Sequence, residues 1–146
     1  MPRRWLSLWN RKVRQGRNST TLPHPTDADI WIPYGAGRIA VNDVVYCVAV
    51  DNGEVLFFGR LTVGRIAIDD THKESIDVWQ KRRTGTWFDP ARVLDEATVE
   101  GLMYVKADGT QQRFVRDAGR VTGYAFQGRA SLRELVAGHE ALEAIR

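Results

Sequence analysis

The sequence predicts a mostly β (α+β) domain, organised as a small β-barrel with a C-terminal helix. Three observations support this fold class: short apolar runs of strand length recur along the chain, turn-forming residues separate them about every ten residues, and one helical pattern occurs near the C-terminus. The length of 146 residues is sufficient for one domain around one hydrophobic core.

The first predicted element is a strand over residues 3–9, in which Trp5, Ser7 and Trp9 fall on one face and Leu6 and Leu8 on the other. Residues 11–25 are basic and polar and contain glycine and proline, which predicts a loop. We therefore divide this single domain into residues 1–27, the first strand with a basic N-terminal segment, and residues 28–146, the barrel with its helix.

Two hairpins follow from turn chemistry. The β-branched run at 44–50 and the run at 54–59 flank Asp51-Asn-Gly, a sequence that favours a type I′ turn. The second hairpin pairs residues 101–106 with residues 110–116 around another Asp-Gly turn. Such hairpins supply the antiparallel strands that a small barrel needs.

The remaining elements are shorter. Alternation predicts a strand over Ile76–Gln80, and Asp89 followed by Pro90 predicts the start of one or two helical turns. Tyr124–Phe126 is a last short strand. The C-terminal helix begins at Ser131, whose spacing from Glu134 is that of a capping box, and its apolar stripe comprises Leu132, Leu135, Val136, Leu142 and Ile145.

Composition narrows the functional class. Cys47 is the only cysteine, so no intrachain disulfide and no thiolate metal cluster can form, and we expect a reducing compartment. The sequence contains no apolar run of signal-peptide or membrane-span length. These observations predict a cytoplasmic protein without a membrane partner.

Charge is unevenly distributed along the chain. The net charge is +3, but residues 1–26 carry six basic and no acidic residues, and the remainder carries a net charge of −3. A basic segment of this kind can bind a polyanion, because each cation that neutralises a phosphate releases counterions. The alternative is a solubilising segment or a basic strand edge that resists pairing.

Catalytic patterns are weak. The three histidines have no metal-ligand spacing, no nucleophile elbow or phosphate-binding glycine loop occurs, and Cys47 lies in an apolar run where a thiol is usually inert. The sequence therefore predicts no cofactor, no metal and no catalytic residue. A nucleotide or nucleic-acid hydrolase that uses Asp69, Asp70 or His72 is the weaker alternative.

Aromatic and basic residues alternate in a pattern that favours nucleic acid. The segment from Trp79 to Trp87 places Lys81, Arg82 and Arg83 between two tryptophans, and Trp31 and Tyr34 flank a glycine-rich turn. Bases stack on aromatic rings while cations hold phosphates. The alternative is ordinary packing: tryptophans usually belong to the core, which we favour for Trp31 alone, and a basic run is usually a solvated loop.

The middle of the chain resembles the PUA-like superfamily, especially its EVE-type domains. The resemblance is carried by Trp31, then Ile39-Ala-Val-Asn-Asp43-Val-Val-Tyr46, then Phe57-Phe-Gly59-Arg-Leu-Thr-Val63, and it covers mainly residues 28–70. Asn42 stands where the family pattern has glycine before the aspartate. The resemblance implies a PUA-like β-barrel that holds a base, often a modified one, in an aromatic pocket.

These observations lead to one hypothesis and one main alternative. The hypothesis is a non-catalytic module that binds RNA or DNA and recognises a modified or flipped base. The stacking residues are Trp31, Tyr34, Trp79 and Trp87; the phosphate-binding residues are Arg3, Arg4, Arg11, Lys12, Arg14, Arg17, Lys81, Arg82 and Arg83. The alternative is an adaptor domain that uses exposed aromatic residues to bind a protein partner.

Overall fold

The structure is a computed structural model, and it describes residues 2–9, 30–32, 39–51, 54–68, 70–77, 80, 83–105, 108–113 and 132–146. In chain order the strands are β1 Arg4–Trp9, β2 Ile30–Trp31, β3 Val44–Asp51, β4 Glu54–Thr62, β5 Ala67–Ile68, β6 Glu74–Ile76, β7 Gly85–Val93, β8 Met103–Val105, β9 Gln111–Arg113 and β10 Leu132–Ala137. The helices delimited in these residues are α1 Glu96–Glu100 and α2 His139–Glu143.

Most of the strands form one sheet, in the spatial order β7-β4-β3-β1-β10-β8-β9. β1 lies inside this sheet, parallel to β3 on one side and antiparallel to β10 on the other. A smaller sheet has the order β2-β6-β5. The predicted mostly β class is therefore confirmed, and among the described strands no pairing closes the larger sheet.

The larger sheet is buried on both faces. On the first face, Leu6, Tyr46 and Phe57 pack with Val99 of α1 and with Leu142 of α2. Side chains at the alternate positions of the same strands point to the second face and pack against the smaller sheet. This second cluster includes Trp5, Val45, Cys47, Phe58, Leu61, Ile32 and Ile76. Burial on both faces explains why the β3 sequence is almost continuously apolar.

Both predicted hairpins are confirmed. β3 and β4 pair antiparallel from Val44 opposite Thr62 to Asp51 opposite Glu54, and β8 pairs with β9 from Met103 opposite Arg113. The predicted strand over residues 3–9 is also present as β1. The loop at 11–25 and the strand Tyr124–Phe126 lie outside the described residues.

Two predictions in the middle of the chain are wrong. The strand predicted over Ile76–Gln80 ends at Ile76, and Gln80 has helical backbone. The helix predicted from Asp89 is instead part of β7, which pairs with β4 through Phe57 opposite Arg92. Ladder pairing to β4 overrides the local Asp-Pro signal, and the helix begins later, at the cap residue Asp95.

A C-terminal helix is present, but its predicted start is wrong. Residues 132–137 form β10, which pairs with both β1 and β8, and the helix begins only after Gly138. A spacing of three residues puts Leu132 and Leu135 on one stripe of a helix, but on opposite faces of a strand. Both faces of this strand are buried, so the two leucines belong to different clusters.

None of the helices in the described part of the chain is long and apolar enough to cross a membrane.

Candidate functional site

The register of the larger sheet brings several predicted site residues to one end. Arg4 lies opposite Val44 across β1 and β3, Val44 lies opposite Thr62 across β3 and β4, and Leu61 lies opposite Gly85 across β4 and β7. Hence β1, β3 and β7 begin at the same end of the sheet, which we call the proximal end. Arg3 precedes β1 there and Arg83 precedes β7.

Strand spacing gives the scale of this surface. Three strand intervals separate β1 from β7, at about 4.8 Å each, so the starts of these strands lie about 14 Å apart across the sheet. The Arg3 side chain is 44% exposed, and Arg83 is exposed. Two of the predicted phosphate-binding residues, Arg3 before β1 and Arg83 before β7, therefore lie at the same end of the sheet.

A buried aspartate organises the centre of the proximal end. The Asp43 carboxylate accepts hydrogen bonds from the backbone N–H of Arg3 at 2.9 Å, the Trp5 Nε1–H at 3.1 Å and the backbone N–H of Ala40 at 2.9 Å. Asp43 is 4% exposed. The side chain thus joins the turn before β3 to the start of β1, and it orients the Trp5 indole inside the core.

The turn before β3 has glycine-like backbone geometry at Asn42. The Asp43 N–H donates to the Ala40 carbonyl at 3.1 Å, and Asn42 has a φ of +79°. A four-residue turn with a positive φ at its third position is the type II pattern, which favours glycine or asparagine there. Asparagine tolerates this conformation better than other non-glycine residues, so it can stand where the family pattern has glycine.

Gln80, Arg83 and Thr84 are the described residues just before β7; they have helical backbone, and we call these three residues the basic turn. A buried glutamine, Gln80, holds this turn against β4. Gln80 is 2% exposed, and its Nε2 donates to the Thr62 carbonyl at 3.4 Å and to the Thr84 hydroxyl. The Thr84 Oγ1 also lies 3.1 Å from the Thr62 carbonyl and 3.0 Å from the Gln80 carbonyl. These contacts attach Gln80 and Thr84 to the last residue of β4.

Asp77 closes the other side of this turn. Its Oδ1 accepts the Gln80 backbone N–H at 2.8 Å, and its Oδ2 accepts a hydrogen bond from Arg65 at 2.5 Å. The turn is therefore bonded both to β4 and to the segment that leads out of β6. Arg83 follows directly from this anchored backbone.

Trp87 is partly buried against the second face of the sheet. A Cβ built on Gly59 would lie 2.5 Å from the Trp87 ring and 2.5 Å from the Thr86 carbonyl, so only glycine leaves room for the indole on the neighbouring strand. Trp87 thus combines a packing role with partial exposure. Trp87 follows Arg83 by four residues and is the third residue of β7, near the proximal end.

The other predicted site residues are placed as follows. Arg3 approaches Glu134 of β10 at 3.4 Å, whereas Arg4 lies beside Tyr46, and its Nε is buried without a hydrogen-bond partner. Trp31 is on β2, in register with Ser75 of β6. The remaining predicted residues lie outside the described residues: Tyr34, Trp79, Arg11, Lys12, Arg14, Arg17, Lys81 and Arg82.

A polar cluster on the first face holds α2. The Tyr46 hydroxyl donates to Glu143 at 2.6 Å, and the Arg60 Nη1 donates to the carbonyls of Leu142 at 3.0 Å and Ile145 at 2.8 Å. Burial raises the pKa of Tyr46 well above its ordinary range, and the acceptor Glu143 adds to this shift. The phenol therefore stays protonated and acts as a fixed donor to the helix.

The groups considered for catalysis are placed as follows. Cys47 is fully buried between β1 and β4, and Asp70 and His72 are exposed in the turn between β5 and β6. Asp69 lies outside the described residues. Within the described ranges, no group of three histidine, cysteine, aspartate or glutamate side chains could hold a metal ion.

Sequence patterns missed the residues that support the site. The sequence predicted Gln80 as the last residue of a strand, whereas in the structure its side-chain amide lies against Gly64 and reaches the Thr62 carbonyl. The only sequence signal was an uncharged glutamine next to a run of three cations.

Comparisons with known proteins identify no relative of this sequence. No family model matches the sequence, and no curated protein or solved structure matches it significantly.

Proposed function

We propose that this protein is a non-catalytic, cytoplasmic nucleic-acid-binding module of the PUA-like, EVE-type kind, which binds a phosphate backbone at the proximal end and holds a modified or flipped base against its aromatic residues. The observation that carries the proposal is the shared sheet end: Arg3 precedes β1 and Arg83 precedes β7 at this end, and Trp87 is the third residue of β7. Cations that flank an aromatic ring are the usual elements of such binding.

The size of the surface supports a polyanion as its ligand. A nucleic-acid strand carries one charged phosphate at every nucleotide, so a span of about 14 Å covers more than one phosphate. A row of phosphates could therefore contact both basic groups at once. An isolated small anion could reach only one of them.

The turn at Asn42 supports the PUA-like architecture. The family pattern requires a glycine-aspartate turn before a long strand, and here Asn42 adopts the positive φ while Asp43 supplies the buried acceptor. The return strand β4 then passes through Gly59 to the fully buried Val63. In this proposal the smaller sheet on the second face completes the barrel around the base-binding pocket.

The test is fluorescence-anisotropy binding of the purified protein to single-stranded and duplex RNA and DNA, plain and cytosine-modified, at two salt concentrations. Tight binding that weakens steeply with salt supports the proposal, because each phosphate contact contributes roughly −0.7 to −0.9 to the salt slope. A preference for one modified probe supports the base pocket. Absence of binding to every probe at low salt overturns the proposal and favours the adaptor alternative.

A matched set of variants locates the interface. Arg3→Ala and Arg83→Ala are each expected to reduce the salt slope by roughly one contact. Arg113→Ala removes the same charge from exposed β9, at the far edge of the sheet, and is expected to leave affinity unchanged. Equal losses for all three variants would mean that only the net charge matters. Neutralising Arg11, Lys12, Arg14 and Arg17 tests the N-terminal basic segment in the same assay.

A further inference from the structure

The base of the basic turn contains a steric match between two residues. A Cβ built on Gly64 would lie 2.7 Å from the Gln80 Oε1 and 3.3 Å from its Nε2. Gly64 lies just beyond β4, close to Thr62, whose carbonyl is within hydrogen-bonding reach of both Gln80 and Thr84. The Gln80 amide therefore occupies the space that any side chain at position 64 would need.

We infer that Gln80 is a positioning residue for the proposed nucleic-acid site, and that Gly64 is its required partner. Gln80 contacts no ligand in this inference, because it is 2% exposed. Its amide joins β4 to Thr84, and its backbone N–H is held by Asp77. Together these bonds keep the backbone that carries Arg83 in one arrangement before any ligand binds.

The physical benefit is preorganisation. A basic turn that must be ordered on binding loses affinity through the entropy of its side chains and backbone, and a turn that is already fixed does not. In this inference Arg83 supplies the positive charge, and the uncharged Gln80 fixes where that charge lies. The inference rests on the proposed function for its effect on binding, but its structural part can be tested without nucleic acid.

The experiment is a double-mutant cycle of Gln80→Ala and Gly64→Ala, read by limited trypsin digestion of the folded protein. Fragment masses report cleavage after Arg83 and its basic neighbours. Each single variant is expected to raise this cleavage about tenfold, the factor expected when one or two net hydrogen bonds are lost. The double variant is expected to match the single variants, because the Cβ at position 64 then fills the space vacated by the amide.

The same four proteins are compared for affinity to the best nucleic-acid probe. The expected result is weaker binding, again by about tenfold, in both single variants and no further loss in the double variant. Val99→Ala, a substitution in the core of the first face, controls for a general loss of stability. It should lower the melting temperature without changing either trypsin cleavage after Arg83 or the affinity for the probe.

The outcomes separate the two ideas. Additive effects, or unchanged cleavage in both single variants, overturn the positioning role even if nucleic acid binds. If the cleavage cycle behaves as expected but no probe binds the wild-type protein, the positioning role stands and the proposed function fails. Should Gln80→Ala not fold, Thr84→Val removes the hydroxyl that accepts the Gln80 amide and should give a smaller increase in cleavage.

Discussion

Removal of the Asp43 carboxylate is the most informative perturbation of the fold. Asp43→Ala leaves three N–H donors without their acceptor: the Trp5 indole, which is buried, and the backbone amides of Arg3 and Ala40, which are partly buried. An unsatisfied buried donor costs about 1–3 kcal/mol, and each partly buried hydrogen bond contributes about 0.5–1.5 kcal/mol. The expected loss is therefore roughly 2–6 kcal/mol, a large fraction of the stability of about 5–15 kcal/mol that is usual for a domain.

Urea denaturation followed by circular dichroism measures this loss. Asp70→Ala is the matched control, because it removes the same side chain from an exposed turn and should change the free energy of unfolding by less than about 0.5 kcal/mol. In a Trp5→Phe background the indole donor is already absent, so the effect of Asp43→Ala should shrink by about 1–3 kcal/mol. Equal unfolding midpoints for Asp43→Ala and Asp70→Ala would refute the assigned role of Asp43.

Three further predictions concern other parts of the fold. At Asn42, whose φ is +79°, substitution by alanine should cost about 1–2 kcal/mol and substitution by glycine less; equal losses in urea denaturation would contradict the assigned turn. Arg60→Met should lose roughly 1.5–3 kcal/mol of local stability at the C-terminal end of α2, because methionine keeps an unbranched side chain but donates neither hydrogen bond to the Leu142 and Ile145 carbonyls; unchanged amide exchange there would disprove this. The Thr98 side chain and backbone hydrogen bonds lower the pKa of Asp95, so its stabilisation is present above its unfolded pKa and is lost as pH falls through the folded pKa. The stability gap between wild type and Asp95→Ala should therefore close in acid, and a pH-independent gap would argue against the cap.

Local chemistry predicted the elements whose partners are close in sequence. The hairpin of β3 and β4 follows from Asp51-Asn-Gly between two apolar runs, and the hairpin of β8 and β9 follows from a second Asp-Gly turn. In both cases the turn and the strands it joins are contained in fewer than about twenty residues, a separation at which local signals dominate. The pattern in β1 predicted a strand but not its partners, β3 and β10, which are distant in sequence.

Local chemistry failed where distant strands compete with a helical signal. Asp89 and Pro90 form a good helix start in isolation, but the residues on either side of them pair with β4, through Trp87 opposite Gly59 and Arg92 opposite Phe57. Leu132 and Leu135 have helical spacing, but β1 and β8 pair with this segment on both sides. Ladder pairing and burial on two faces stabilise these segments more than helix propensity does, and neither is visible in a local window.

For the candidate site, the sequence by itself determined which residues are basic or aromatic and that asparagine and aspartate stand at a turn before an apolar strand. Only the tertiary structure decided that Arg3 and Arg83, eighty residues apart in the chain, border one end of a sheet. It also decided that Gln80 fits against Gly64 and that Trp87 packs on Gly59. The physical reason is register: side-chain chemistry is a property of each residue, whereas the neighbours of a residue across a sheet depend on which strands pair and where their hydrogen bonds begin.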